Sequence, residues 1–300
     1  MIKIKLLITT SLLILLIPIL DKRIRLSPPN PVLNQQGITT KAANEISQII
    51  RPAEATNHEV ENIQTQQTEV ENNQTKPSGF CLNVPVLMYH HVQPQNIATE
   101  KWQTALNVDT TVFESQMTYL TNSGYQTINL DQLAQALLNH QQLPPKSIAL
   151  TFDDSYRDFY TFAFPIIKKY NLRANLFIST GLVENSDYLT WSQLKEMVSS
   201  NQVFAYNHTW SHANMASVPQ AKMESEVQTA QKQLVDYLGT NPKIFAYPYG
   251  TENSTIINVL RENGFIAALS TIPGQVQCDS FIMTLHRNHI GNALLSSYGL

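Results

Sequence analysis

No aromatic residue occurs in the first 79 positions of this 300-residue chain; all 11 Phe, 12 Tyr and 3 Trp lie from Phe80 onward. A stretch of that length without one large ring cannot assemble much of a core. The ordered part is therefore expected to be one domain over residues 80–300, large enough to bury a single sizeable interior. Within it, 12 Lys/Arg stand against 16 Asp/Glu. That balance excludes the basic face needed to neutralise phosphates, so nucleic acid is not an expected partner.

The aromatic-free region divides in two. Lys3 and Lys5 precede an apolar run from Leu6 to Leu20, interrupted by Thr9, Thr10, Ser11 and Pro18. The run is short for a comfortable span, which takes about 20 residues, and suits the core of an export signal. No small-x-small cleavage site follows; Asp21-Lys22-Arg23-Ile24-Arg25 comes next. Residues 1–26 are thus expected to be a signal peptide, or an uncleaved anchor that holds the protein to a membrane from outside the cytoplasm. Residues 27–79 hold seven Asn, seven Gln and five Pro up to Ser78. They are expected to be a disordered Asn/Gln/Pro-rich linker, because their burial cannot offset ordering entropy.

Cys81 and Cys278 stand near the two ends of the expected domain. No CxxC or Cys/His zinc pattern exists, which removes a structural zinc site. Outside the cytoplasm the two can pair; otherwise they are buried thiols. Between them, short apolar runs alternate with helical spacing. Strands are predicted over 84–89, 147–152, 173–178, 203–206, 243–247, 265–270 and 280–289. Helices are predicted at 113–120, 130–138, 159–170 (kinked or begun at Pro165), 191–198, 222–238 and 253–262. This alternation implies an α/β protein with a parallel sheet, open or closed into a barrel, whose chemistry gathers where strands end.

Polar residues fall at those ends. Asp153 and Asp154 follow the apolar run Ile148–Phe152. Two adjacent carboxylates repel and call for a positive neighbour, although an N-cap with a first-turn acid is a common alternative. His208 and His212 follow a second run, and on a helical turn both imidazoles would face one side and reach one ion. A carboxylate from the Asp pair would complete three ligands and leave a position for water, as catalytic sites do. A third run leads into Tyr247-Pro248-Tyr249-Gly250, whose rings could stack on sugars and whose turn could present a backbone N–H.

Together these segments resemble the polysaccharide deacetylase family (carbohydrate esterase family 4, the NodB homology domain). The family's Thr-Phe-Asp-Asp-Gly is matched by Thr151-Phe152-Asp153-Asp154-Ser155, its His-Ser/Thr-x-x-His by His208 to His212, and its Pro-Tyr-Gly by Pro248 to Gly250. The opening Val84 to His90 is similar to the poly-N-acetylglucosamine deacetylase branch. The resemblance implies a distorted (β/α) barrel that hydrolyses N-acetyl groups on a glycan. Asp154, His208 and His212 would hold one divalent metal ion, zinc by preference, with cobalt or nickel as alternatives. Asp153 would be the general base, and the Tyr249 N–H would stabilise the oxyanion beside Pro248 and Tyr247.

Three departures bear on function. Ser155 replaces a Gly, which matters only if that position needs a positive φ. Ala246 stands where many members carry an Arg that orients the base, and Asn214 where many carry Asp. In Leu285-His286-Arg287-Asn288-His289, strand alternation puts Arg287 and His289 on one face and His286 on the other. With Arg287 inward as the substitute partner of Asp153, His289 becomes the expected general acid; His286 is the alternative, and His90 a candidate pocket residue. The expected partner is an acetylated polysaccharide, with the membrane through the N-terminal segment; no protein partner is deducible. Alternatives are O-acetyl removal from xylan-like polymers, or a glycan-binding module that no longer turns over.

Overall fold

The computed structural model describes residues 79–300. The expected signal or anchor, and the expected linker except for its last residue, lie outside the described residues.

Eight strands form the main sheet: β1 (Val86–Tyr89), β2 (Gln126–Thr127), β3 (Ser147–Phe152), β4 (Ala174–Ile178), β5 (Val203–Asn207), β6 (Ile244–Ala246), β7 (Ala267–Leu269) and β8 (Asn288–His289). Their spatial order is β7-β6-β5-β4-β3-β1-β8, with β2 beside β3. Every pairing in this sheet is parallel. The segment before β8 brings the two edges together. Leu285 bridges Leu269 at the end of β7, and Asn288 and His289 pair with Leu87 and Met88 of β1. The result is the distorted (β/α) barrel that the sequence implies.

Strand alternation sorts the side chains into two layers. Ile148, Leu150 and Phe152 of β3 pack outward, with Leu176 and Ile178 of β4 and Val203 and Ala205 of β5, in the core beneath the helices. Ala149, Phe177, Tyr206, Ile244, Ala246, Ala267, Leu269 and Leu285 form a second cluster, the barrel interior. Continuing that inward series past the strand ends leads to Asp153 and His208, so the same period that fills the barrel also aims the polar residues into its mouth.

The helices follow their local signals. Leu130–Leu138 begins with a capping box between Asn129 and Gln132, and Trp191–Ser199 with one between Thr190 and Gln193. Gln220–Leu238, the longest, ends at Gly239 with φ +68. The predicted helix at 159–170 is divided instead: Phe159–Ala163 winds as a π turn and Phe164–Lys169 as an α-helix. Pro165 has no N–H to donate to the preceding turn, and the backbone widens there.

One predicted strand is corrected. Residues 280–289 are not continuous: Asp279–Thr284 forms tight 3₁₀ turns, and only Asn288–His289 extends along β1. Among the strands that the sequence reading missed is Val276–Cys278, which pairs antiparallel with Cys81–Asn83, itself unpredicted. That register sets Cys81 directly opposite Cys278, and the two form a disulfide across 197 positions of sequence. Closing so long a loop is worth up to about 5 kcal/mol in the chain-entropy limit. Replacing both residues (Cys81→Ser with Cys278→Ser) is expected to lower the unfolding free energy by about 2–5 kcal/mol, read from the urea midpoint. A reductant should then shift the wild type towards the double variant and leave the variant unchanged.

Candidate active site

β3 delivers the acid pair. The Asp153 N–H still donates to the Tyr89 carbonyl at 3.0 Å, as a strand residue would. The chain then turns through Asp154 and Ser155 in the left-handed region, at φ +73 and +68. Position 155 therefore does need a positive φ, the condition under which replacing Gly by Ser matters. Ser155 offsets the strain with its side chain: its Oγ accepts the Ser179 N–H at 3.1 Å, and its carbonyl accepts the Leu189 N–H at 2.9 Å.

His208 follows β5, and His212 comes four residues later, but not on the helical turn that the spacing suggests. The segment is a loop in which Thr209 and His212 have φ of +68 and +58. Tertiary bonds bring the imidazoles together instead. His208 Nδ1 lies 2.8 Å from the Ala246 carbonyl. A carbonyl can only accept, so Nδ1 carries the proton and Nε2 presents a lone pair.

That lone pair faces Asp154. Asp154 Oδ1 lies 3.3 Å from His208 Nε2 and 3.0 Å from His212 Nε2. All three ligand atoms fall within 4.8 Å of one another. Asp154 Oδ1 is buried without a hydrogen-bond partner among the described residues. Two lone pairs turned on each other in a buried site repel unless a proton or a metal cation lies between them. Two imidazoles and one carboxylate suit a divalent ion and leave room for an exchangeable ligand, so these residues fit the metal that the sequence implies. Burial works to raise the Asp154 carboxyl, but the two histidines outweigh it and hold the group well below the usual range. Burial works to lower His212, and Asp154 outweighs it in turn, so His212 is raised.

Asp153 takes a different partner. Arg287 is fully buried, and its Nη1 donates to Asp153 Oδ1 at 2.7 Å. Its Nε donates to the Ser270 carbonyl at 2.9 Å, and the guanidinium carbon lies 5.4 Å from the centre of the Phe177 ring. Burial would raise the Asp153 carboxyl, but Arg287 first, then His208 and His90, hold it below its ordinary value. Arg287 sits behind Asp153 rather than on the cleft, so it orients the acid and does not meet a substrate.

The cleft over these groups has a volume of about 480 Å³. Asp153, Asp154, His208, His212, Tyr247, Tyr249 and His90 line it. So do Leu106, Tyr156, Leu182, Tyr188 and Thr271, which the sequence reading missed. Tyr156 and Tyr188 stack at 5.3 Å, and Tyr156 also stacks on His91 at 3.7 Å, so one wall is aromatic. Only Tyr156 carried a sequence signal, its place next to Ser155; Leu106 comes from the 3₁₀ turn Thr104–Leu106 and the others from loops.

Two sequence expectations change here. Tyr247 borders the cleft but is not a platform for sugars: its side chain packs outward beside Phe245, fully buried, and its hydroxyl donates to the Met283 carbonyl at 2.8 Å. Pro248 is buried at the start of the turn. Tyr249 is the exposed ring, 64 % accessible at φ +62 and 4.7 Å edge-on from His212. Of the histidines, His286 stacks on Phe281 outside the barrel, as alternation requires. His289 is in step with the inner face but is exposed, and its ring stands 5.7 Å from that of His90. His90, not His289, lines the cleft, and its Nδ1 is buried without a hydrogen-bond partner among the described residues. Burial lowers the pKa of both rings. Asn214, where an Asp was noted as usual, accepts the Thr251 hydroxyl at 2.7 Å and so ties the histidine loop to the Tyr249 turn.

The profile of the family described as polysaccharide deacetylase matches residues 140–268, which include the acid pair, both histidines and the Pro248–Gly250 turn. Over that span the chain matches the polysaccharide deacetylase family. It is 26 % identical over 245 residues to YxkH of Bacillus subtilis (strain 168), covering 82 % of this chain and 85 % of that one. It is 26 % identical over 232 residues to the poly-beta-1,6-N-acetyl-D-glucosamine N-deacetylase of Escherichia coli (strain K12), covering 62 % of this chain but only 34 % of that protein. The structure of the Streptococcus pyogenes deacetylase PplD in complex with acetate superposes with a TM-score of 0.66 at 28 % identity, covering 70 % of this chain and 92 % of that one.

Removing Arg287 would leave the Asp153 carboxylate buried and uncompensated. Arg287→Ala is expected to destabilise the fold by about 3–5 kcal/mol, measured by chemical denaturation at neutral pH. The loss should shrink in the double variant with Asp153→Asn, because the uncompensated charge is then gone.

Proposed function

We propose that this polysaccharide deacetylase removes N-acetyl groups from N-acetylglucosamine units of a surface or extracellular polysaccharide and depends on one divalent ion, zinc by preference. The observation that carries the reading is the convergence of Asp154, His208 and His212, with a second carboxylate, Asp153, alongside but engaged elsewhere. Asp154, His208 Nε2 and His212 Nε2 would hold the ion. When bound, the ion supplies a water of lowered pKa and polarises the acetyl carbonyl. Asp153 is kept ionised by Arg287 and takes the proton from the attacking water. The Tyr249 N–H donates to the oxygen on which negative charge develops. His90 gives a proton to the departing nitrogen, with the exposed His289 ring 5.7 Å away; acetate and a sugar amine are the products.

The apolar segment Leu6–Leu20 supports export, with residues 1–26 as signal or membrane anchor ahead of a linker and a catalytic domain at 80–300. A disulfide between Cys81 and Cys278 is consistent with an oxidising compartment. Poly-N-acetylglucosamine is the preferred substrate because the E. coli relative is named for it.

The test is acetate release from a poly-N-acetylglucosamine oligomer. Release should stop with chelator and return with zinc, and Asp153→Asn should reduce kcat by about 10²–10⁴-fold. Release from O-acetylated xylan alone would replace the amide substrate with an ester; no release from either, with no bound metal, would leave a binding module.

Two further outcomes test the assigned roles. His90→Ala should lower kcat by about 10²–10⁴-fold, the contribution of a general acid, and His289→Ala by clearly less; the reverse order would return the role to His289. The ionised form of Asp153 is the active one, so the rate falls as pH drops through its pKa. Arg287 holds that pKa down, and Arg287→Ala should move the acid limb of kcat/KM to higher pH.

A further inference from the structure

Helix Gln220–Leu238 buries Met223, Val227, Ala230, Leu234 and one acid, Glu226. The Glu226 side chain is wholly inaccessible. A buried carboxylate costs several kcal/mol of desolvation unless strong donors replace its water. An i,i+4 pair with Lys222, whose ammonium lies 2.7 Å away, could form equally well on an exposed helix face and does not explain the burial. The remaining donors do. Glu226 Oε2 accepts the Ser211 N–H at 2.7 Å, and Oε1 accepts the Ser211 hydroxyl at 2.7 Å.

Ser211 immediately precedes His212, in the loop where Thr209 and His212 both occupy the left-handed region. Non-glycine residues hold that conformation only when their surroundings enforce it. The same helix supplies the rest of the enforcement. Lys222 Nζ lies 5.5 Å from the centre of the Trp210 ring. Asn207 accepts the Thr209 N–H at 2.9 Å and donates to the Val227 carbonyl at 3.0 Å. The three residues between the histidines are thus fastened to one helix, with the charged acceptor nearest His212.

We infer that Glu226 is a positioning residue that presets the His208–His212 loop for the metal, through its two bonds to Ser211. It touches neither substrate nor ion. Without it, His212 is free to leave the left-handed conformation, and each binding event must order the loop anew. The inference rests on the metal reading proposed above.

The experiment measures zinc affinity of the full chain by competition with a chromophoric chelator, with the cobalt(II) d–d spectrum as a report on geometry. Glu226→Ala should weaken zinc by about 10–100-fold, as loss of an outer-shell partner does, and should broaden the cobalt spectrum. Ser211→Ala removes one of the two bonds at an exposed position, so it tests the same link if the Glu226 variant does not fold; it should weaken zinc in the same direction by less. Leu234→Ala, on the same helix but in the apolar core, destabilises the fold and should leave affinity unchanged. Wild-type affinity in both Glu226→Ala and Ser211→Ala would overturn the inference. So would an equal loss in Leu234→Ala, which would mean general loosening. A wild-type chain that takes up no zinc would overturn the metal reading itself, and the inference with it.

Discussion

A guanidinium with no access to water is the constraint around which the barrel mouth is arranged. Arg287 must be neutralised where it lies, and Asp153 is the carboxylate within reach, 2.7 Å away. The pair joins the segment that closes the sheet, between β7 and β1, to the end of β3. One interaction therefore serves two links of the chain from sequence to function. It draws the closing segment against the barrel, and it keeps an acid ionised that burial alone would protonate. It also separates the two neighbouring acids: Asp153 is committed to Arg287, and Asp154 is left to the histidines.

Much of this was legible because strand alternation carries its own geometry. Asp153, His208 and Arg287 each lie in step with inward apolar residues, so a period of two predicts where they point. The same rule places Tyr247 outward, since Ala246 before it fills the interior. Its aromatic character suggested a sugar platform, but alternation decides the matter against it.

Register was not legible. His289 sits level with Met88 on the neighbouring strand, so His90 stands further toward the mouth and takes the place at the cleft. Alternation assigns a face but not a height along the barrel, and height depends on how β8 lies against β1. The aromatic wall and the left-handed histidine loop were hidden for a related reason. Both are set by contacts between segments distant in sequence: Tyr156 on Tyr188, and Ser211 on Glu226. Helical spacing between the two histidines gave the right pairing through the wrong local geometry.

The closing pieces of the molecule share a place in time as well as in space. Cys278, Arg287 and β8 all belong to the last stretch of the chain, while their partners, Cys81, Asp153 and β1, emerge much earlier. A polypeptide delivered N-terminus first holds Cys81 as a waiting thiol until 197 further positions have arrived. A chain that stops short of Cys278 lacks the disulfide, the neutralised acid and the sealed sheet all at once. The covalent clasp can thus form only on a chain that already carries the strand pair beside it, and its formation marks a polypeptide whose second partner strand has been delivered.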